Sequence, residues 1–334
     1  MGRKKVLTAH PARANGHSWR RTAPLPFPVT AEGLPELHAS ALETYLICPR
    51  RYFLQHVCGL VPKQVEQKLF VGGLVHAGVA AFNTPDAPVD AVRIAMNAYI
   101  DENLSPERQK ERADDIGLAH KLLDAYAIWA PSLPFRVVAA ERPFTLRLRN
   151  PDTGYRAGAV VAGTLDAQIV PFEGKQLPTT VDVRWPLEYK TVRNAMDPLV
   201  LHMVLQFGVY AWASREMFPK MPVAGLVLVQ IRKVDPARAK KDVIVYNTIT
   251  FNDTGLASVQ RLLYALYRRI LAERDWLPRP VIQVCSWRCR GPYIDLCEAL
   301  SRGTQNDVDY IVENAFAAVT PAAEEPGSRW EEDA

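Results

Sequence analysis

Gly163-Thr164-Leu165-Asp166-Ala167 and Leu187-Glu188-Tyr189-Lys190-Thr191 decide the fold. The first closes a run rich in Val and Ala, residues 157–170, with an acid at its end. The second lies in a run, residues 181–190, that carries Val181, Val183, Trp185 and Tyr189. Both read as strands. A strand has a period of two, so Glu188 and Lys190 share one face and Tyr189 points to the other. If the two strands pair, Asp166 and Glu188 converge. Neighbouring carboxylates repel unless a cation lies between them, and oxygen ligands suit Mg²⁺ or Mn²⁺. A cation there would polarise a phosphoryl oxygen and acidify water, with Lys190 beside it to hold the water or the developing charge. Glu-x-Lys alone is also a common pattern on solvated strand faces; Gly163 and the apolar run before Asp166 set this one apart.

Working outward, Ser40-Ala41-Leu42-Glu43 has the form of a capping box that starts a helix through Leu42, Tyr45, Leu46 and Phe53. Gly72-Gly73-Leu74-Val75-His76 opens a second helix with residues small enough for close backbone approach. Two more helices follow at 88–103 and 105–130, ended by Pro131 and Pro134. Strands are expected at 135–140, 144–148, 157–170 and 181–190, with a turn at Asn150-Pro151-Asp152-Thr153-Gly154. A helix over 195–218, a strand pair at 223–232 and 242–251, a helix over 254–275 that buries Leu262, Leu263, Leu266, Ile270 and Leu271, and a short helix at 306–317 complete the pattern. This order predicts one α/β core with a helical insertion. His76 offers a further metal ligand, although a lone helical histidine is more often structural. Gln206 and Tyr210, four apart on one helical face, either support the site or the DNA backbone, or are core-edge residues.

The chain has 334 residues, 48% hydrophobic and 23% charged, with a formal net charge of +4. That is the composition of a globular protein, and the charge is too mild to prove a nucleic-acid partner. Its distribution is uneven. Residues 1–37 carry +4, and residues 318–334 carry −4. Arg232, Lys233, Arg238, Lys240 and Lys241 form a basic run in the body, suited either to a solvated hairpin tip or to phosphate contacts. There is no run of about 18 apolar residues and no secretory h-region, so a cytoplasmic location is expected.

Five cysteines are present. Thiols in a reducing compartment point to metal rather than disulfides. Cys285, Cys289 and Cys297 crowd one segment. Cys48, beside Pro49, is the best fourth ligand, and Cys58 is the alternative. One ligand so far from the other three suits an iron–sulphur cluster that ties the chain ends together better than zinc, whose ligands come as short pairs.

In order, Cys48-Pro49-Arg50-Arg51-Tyr52 in the helix from Ser40, Gly73-Leu74-Val75-His76, Gly163-Thr164-Leu165-Asp166, Glu188-Tyr189-Lys190-Thr191, Gln206-x3-Tyr210 and the late cysteines resemble the RecB-type nucleases of the PD-(D/E)XK superfamily over residues 40–317. The likeness is greatest to the iron–sulphur branch: CRISPR-associated RecB-like exonucleases, their phage relatives and the nuclease domain of AddB. The resemblance implies a restriction-endonuclease-like core with a mixed central sheet flanked by helices, an N-terminal helical insertion and a cysteine-rich cap. It implies Mg²⁺ or Mn²⁺ on His76, Asp166 and Glu188, catalysis by Lys190 with Gln206 and Tyr210 in support, and a [4Fe–4S] cluster on Cys48, Cys285, Cys289 and Cys297. The expected activity is a DNA exonuclease acting on single strands or ends in a bacterial or phage-infected cell, with a recombination or helicase partner left open. The expected organisation is a basic arm, 1–37; a helical region, 38–134; a nuclease core, 135–280; a cluster segment, 281–317; and a disordered acidic tail, 318–334. The wider Cys289–Cys297 spacing, at Gly291-Pro292, and the long link holding Pro178 and Pro186 depart from the pattern. Two alternatives remain: a DNA-binding adaptor with a nuclease-like fold, and a zinc-bound structural protein.

Overall fold

A computed structural model describes residues 26–63, 67–171, 184–220, 224–273, 275–277 and 292–317. They fall into two compact units. The larger comprises Glu36–Glu43 and Gln64–Arg269, and the smaller holds Thr44–Lys63, the segment before Pro35 and the chain from Ile270 onward.

The larger unit is built on a six-stranded mixed sheet. Its strands are β1 (Glu36–Leu37), β3 (Phe135–Arg149), β4 (Arg156–Pro171), β5 (Trp185–Val192), β6 (Ala224–Arg232) and β7 (Ile244–Phe251); β2 (Val61–Pro62) belongs to the smaller unit. β3 and β4 form a long antiparallel hairpin, β5 and β6 pair in parallel, and β7 closes the far edge antiparallel to β6. β6 reads Ala-Gly-Leu-Val-Leu-Val-Gln-Ile-Arg, apolar almost throughout, and is buried to its last residue. A central strand covered on both faces has no solvated side on which to alternate. Each fully buried Val, Leu or Ile there contributes roughly 1.5–3 kcal/mol of transfer free energy.

Helices α3 (Gln67–Asn83), α4 (Ala91–Asn103) and α6 (Ala113–Trp129) form the helical insertion, with the short α5 (Pro106–Glu111) between the last two. Gly72 and Gly73 lie inside α3 rather than at its start. They still serve close approach: a Cβ on Gly73 would collide with the Tyr99 hydroxyl of α4, and one on Gly78 with Leu123 of α6. On the opposite side of β5 from Glu188, Tyr189 presents its hydroxyl 2.9 Å from that of Tyr126, and Asn83 Nδ2 donates to both hydroxyls at 3.0 Å. This buried polar set fixes α3 and α6 on the strand.

Several expectations are corrected. The two strands at 135–140 and 144–148 are one strand, because Glu141-Arg142-Pro143 continues the ladder: Ala140 pairs Ala167, and Arg142 pairs Leu165. The helix expected from 195 begins only with α7 (Leu205–Met217). Before it, Asp197 accepts the Leu199 N–H and caps a short 3-10 turn, Pro198–Met203, and extended Val204 breaks the chain direction. Within α8 (Asp253–Ala272), Leu263, Leu266 and Ile270 are buried, but Leu262 is 40% exposed, one position off the apolar stripe. The capping box is not formed at Ser40. α1 (Ala39–Ile47) makes its first helical bond from Leu42 N–H to the His38 carbonyl, and Glu43 is used elsewhere.

In the smaller unit, α2 (Pro49–Tyr52) starts from Cys48 and runs into a π-turn at Phe53–Val57. Leu54, Tyr293, Leu296, Ala299, Val308 and Phe316 form its core, with helices at Pro292–Arg302 and Gln305–Ala315. Val61 and Pro62 pair with Ala317 and Phe316. The basic arm to residue 25, Cys285, Cys289 and the acidic tail lie outside the described residues. No described helix is long and apolar enough to cross a membrane.

Candidate functional site

β4 and β5 pair over only three positions, Ala167 with Leu187, Gln168 with Pro186 and Ile169 with Trp185. The strands then part at Asp166 and Glu188. Asp166 Oδ2 accepts the Tyr189 backbone N–H at 2.8 Å, which fixes the carboxylate at the mouth of the split. The convergence of the two acids expected from strand pairing is present, and Asp166 and Glu188 are close enough to interact through their side chains.

His76, on α3, brings Nε2 to 3.4 Å from Asp166 Oδ1 and 3.3 Å from Glu141 Oε1. These three side chains offer ligand atoms all within 4.8 Å of one another. Burial lowers the affinity of His76 for its proton, but the two carboxylates outweigh it and hold the imidazole up at about 10. The ring sits between the two carboxyl groups.

Glu141 was not anticipated from the sequence. It stands opposite Asp166 in the β3–β4 hairpin, on the same face, and its φ of 47° is left-handed. That conformation costs a non-glycine residue on the order of 1–2 kcal/mol. Two acids facing each other across a ladder add repulsion. Counting back along the hairpin from the turn at 150–154, where Arg149 pairs Arg156, would set Glu141 against Thr164; a register shift between Arg147 and Arg149 brings it opposite Asp166 instead. The Glu-Arg-Pro composition hid it by reading as a break.

Glu188 is 1% exposed. Burial first, and the Asp166 charge second, push its carboxyl up to about 8, against the opposing pull of Lys190. One oxygen forms an ion pair with Lys190. The other, Oε2, is buried without a hydrogen-bond partner among the described residues. Lys190 Nζ also donates to Gln206 Oε1 at 2.8 Å, and Gln206 Nε2 donates to the Tyr210 hydroxyl at 3.0 Å. Burial and the Glu188 charge hold the Tyr210 phenol well above its usual range, so it stays protonated. Gln206 and Tyr210 are thus joined to the lysine through side-chain hydrogen bonds. Two facing acids and an imidazole, with the orphaned Glu188 oxygen close to Asp166, form a donor set that could hold a divalent cation.

In the smaller unit, Cys48 is buried at the start of α2, and Arg50 Nη1 reaches Cys297 Sγ at 3.7 Å. The segments of these two cysteines therefore meet. Burial pushes the Cys58 thiol up to about 12. The basic run lies in the β6–β7 connection, with Lys240 and Lys241 exposed at its end.

A model of the PD-(D/E)XK nuclease superfamily matches residues 36–298. None of the curated proteins matches the chain. Among solved structures, a candidate exonuclease from Eubacterium rectale is similar, at 10% identity and a TM-score of 0.44, over 77% of this chain and 88% of that one.

Proposed function

Because the chain belongs to the PD-(D/E)XK nuclease superfamily, whose members commonly work with divalent metal, we propose that it is a metal-dependent DNA exonuclease acting on single strands or strand ends, with Mg²⁺ or Mn²⁺ held by His76, Asp166 and Glu188. Glu141 joins this set as a ligand. The observation that carries the reading is the face on which Asp166, Glu141 and His76 meet beside the buried Glu188–Lys190 pair. When bound, a divalent cation supplies charge neutralisation at the scissile phosphodiester and makes water a better nucleophile. The chain's own residues do the rest. Lys190 presents an ammonium, steadied by Gln206, where negative charge develops on the phosphoryl oxygens. Tyr210 holds the Gln206 amide in one orientation. Glu188 must lose its proton before it can bind metal, and the nearby ammonium favours that loss.

The smaller unit is proposed to carry a structural [4Fe–4S] cluster on Cys48, Cys285, Cys289 and Cys297. The meeting of Arg50 with Cys297 supports it.

The test is digestion of 5′- and 3′-labelled single- and double-stranded oligonucleotides with Mn²⁺, with iron content measured on the same protein. The expected result is metal-dependent shortening from an end, lost at least 100-fold in Lys190→Ala while the variant melts as the parent does. Full activity in that variant would overturn the assignment.

A further inference from the structure

Helix α7 begins without a polar cap of its own. Its N-cap is Val204, which has no side-chain acceptor, while the first-turn N–H groups need partners from outside the helix. Gln206 N–H finds one in Glu43 Oε1, at 3.0 Å, from a residue 163 positions away in sequence. This is the only hydrogen bond the Glu43 side chain makes among the described residues. An ionised acceptor at a helix N-terminus gains from the aligned peptide dipoles as well as from the bond itself.

The same residue, Gln206, holds the lysine. Its backbone is tied to Glu43, its Oε1 accepts from Lys190 Nζ at 2.8 Å, and its Nε2 donates to Tyr210 at 3.0 Å. Glu43 is itself well anchored. α1 follows β1, whose Glu36 and Leu37 pair in parallel with Val160 and Val161 of β4, the strand that carries Asp166. Leu42, the neighbour of Glu43, is 1% exposed and locks this part of α1 against the core. One strand therefore roots both the Asp166 carboxylate and the acid that caps α7.

We infer that Glu43 is a positioning residue for the reaction proposed above: it fixes the first turn of α7, and through Gln206 it gives Lys190 a second partner that orients the ammonium beside Glu188. Its pattern neighbours read as a local capping box for α1, but its carboxylate serves a different helix. Without the cap, the first turn of α7 frays, the Gln206 amide loses its aim, and Lys190 keeps Glu188 as its one partner.

Glu43→Ala and Glu43→Gln, made in the full chain, test this in two independent ways. The first does not depend on cleavage. Amide exchange at Gln206 should quicken about tenfold in Glu43→Ala. Acetylation of Lys190 by acetic anhydride, read by mass spectrometry, should quicken several-fold, with exposed Lys121 as an unchanged control. Glu43→Gln, which keeps an oxygen acceptor, should remain close to the parent in both. The second way is kinetic. In Glu43→Ala, kcat should fall about tenfold or more, with KM for DNA and Mn²⁺ affinity within twofold of the parent, and Glu43→Gln should recover most of kcat. Unchanged Lys190 labelling in Glu43→Ala would overturn the inference whether or not the protein cleaves DNA. So would a parental kcat in that variant, or equal losses in both variants. A parent chain that cleaves nothing would sink the proposed function but leave the labelling result to judge Glu43.

Discussion

Replacing Glu188 with Gln should stabilise the metal-free protein while removing its response to metal. The carboxyl is held at about 8 against an ordinary 4.5. A group whose folded value is raised binds its proton more tightly in the folded chain. Its contribution to stability is fully present below pH 4.5 and is lost as pH rises toward 8. The loss is about 1.4 kcal/mol per pH unit across that window, or on the order of 5 kcal/mol at pH 9. Gln carries no such proton, so the variant escapes the slope; it forfeits part of the Lys190 ion pair, which makes the figure an upper bound. Thermal melting in EDTA at pH 5, 7 and 9 reads the difference directly. The melting temperature of Glu188→Gln minus that of the parent should grow from pH 5 to pH 9 by about 5–10 °C, taking roughly 2 °C per kcal/mol for a chain of this size. Mn²⁺ at a hundred times its Kd should add about 2.7 kcal/mol to the parent and little to the variant. Using the difference removes other titrations, including that of His76. A variant that follows the parent's pH slope in EDTA would refute the burial argument, and one stabilised equally by Mn²⁺ would remove Glu188 from the ligand set.

Glu141→Gly should relieve the left-handed backbone and the repulsion facing Asp166, raising metal-free stability by up to about 1 kcal/mol, while Mn²⁺ affinity by calorimetry falls about tenfold or more; unchanged affinity would exclude it as a ligand. Changing exposed Lys240 and Lys241 together to Ala should weaken DNA binding at low salt and reduce the dependence of log K on log salt by about 1–2; an unaltered slope would assign that tip to solvent. In anaerobically purified protein, Cys48→Ser should lose iron and brown colour, whereas Cys58→Ser should keep both; the reverse result would exchange the two ligands.

The core of the site was legible because strand periodicity is local. Glu188 and Lys190 had to share a face, and an acid at the end of an apolar strand had to meet them if the strands paired. His76, Gln206 and Tyr210 were open between site and structural roles until the resemblance assigned them to the site, and the fold brings all three to the same set. What stayed hidden depended on register or on distant partners. Glu141 reaches Asp166 through a register shift between Arg147 and Arg149 that counting from the turn misses, in a segment whose Glu-Arg-Pro composition imitates a turn. Glu43 looked like half of a local cap because three-residue spacing is what a capping box shares with ordinary helix surface; its true partner lies on another helix. The helix expected from 195 failed because Asp197 and Pro198 favour a short capped turn, a choice that composition over a long window averages away.

Three acids at the opening are held in a state that folding alone would not choose. Glu141 occupies a backbone region that disfavours it, Asp166 faces another acid, and Glu188 keeps an oxygen buried without a partner among the described residues. The available relief in the metal-free chain is protons: one on His76, wedged between two carboxylates, and one on the Glu188 carboxyl. A divalent cation relieves the same repulsions with one particle, and it must displace those protons to enter. Metal affinity should therefore rise with pH between about 6 and 8, in the range where stability of the metal-free chain declines. The two slopes have opposite signs because they report the same carboxylates in competition for a proton and a cation. Mn²⁺ titrations at fixed ionic strength across that range, with proton release measured in two buffers of different ionisation enthalpy, would show release of one to two protons per ion; an affinity independent of pH would mean that the cation binds away from this cluster.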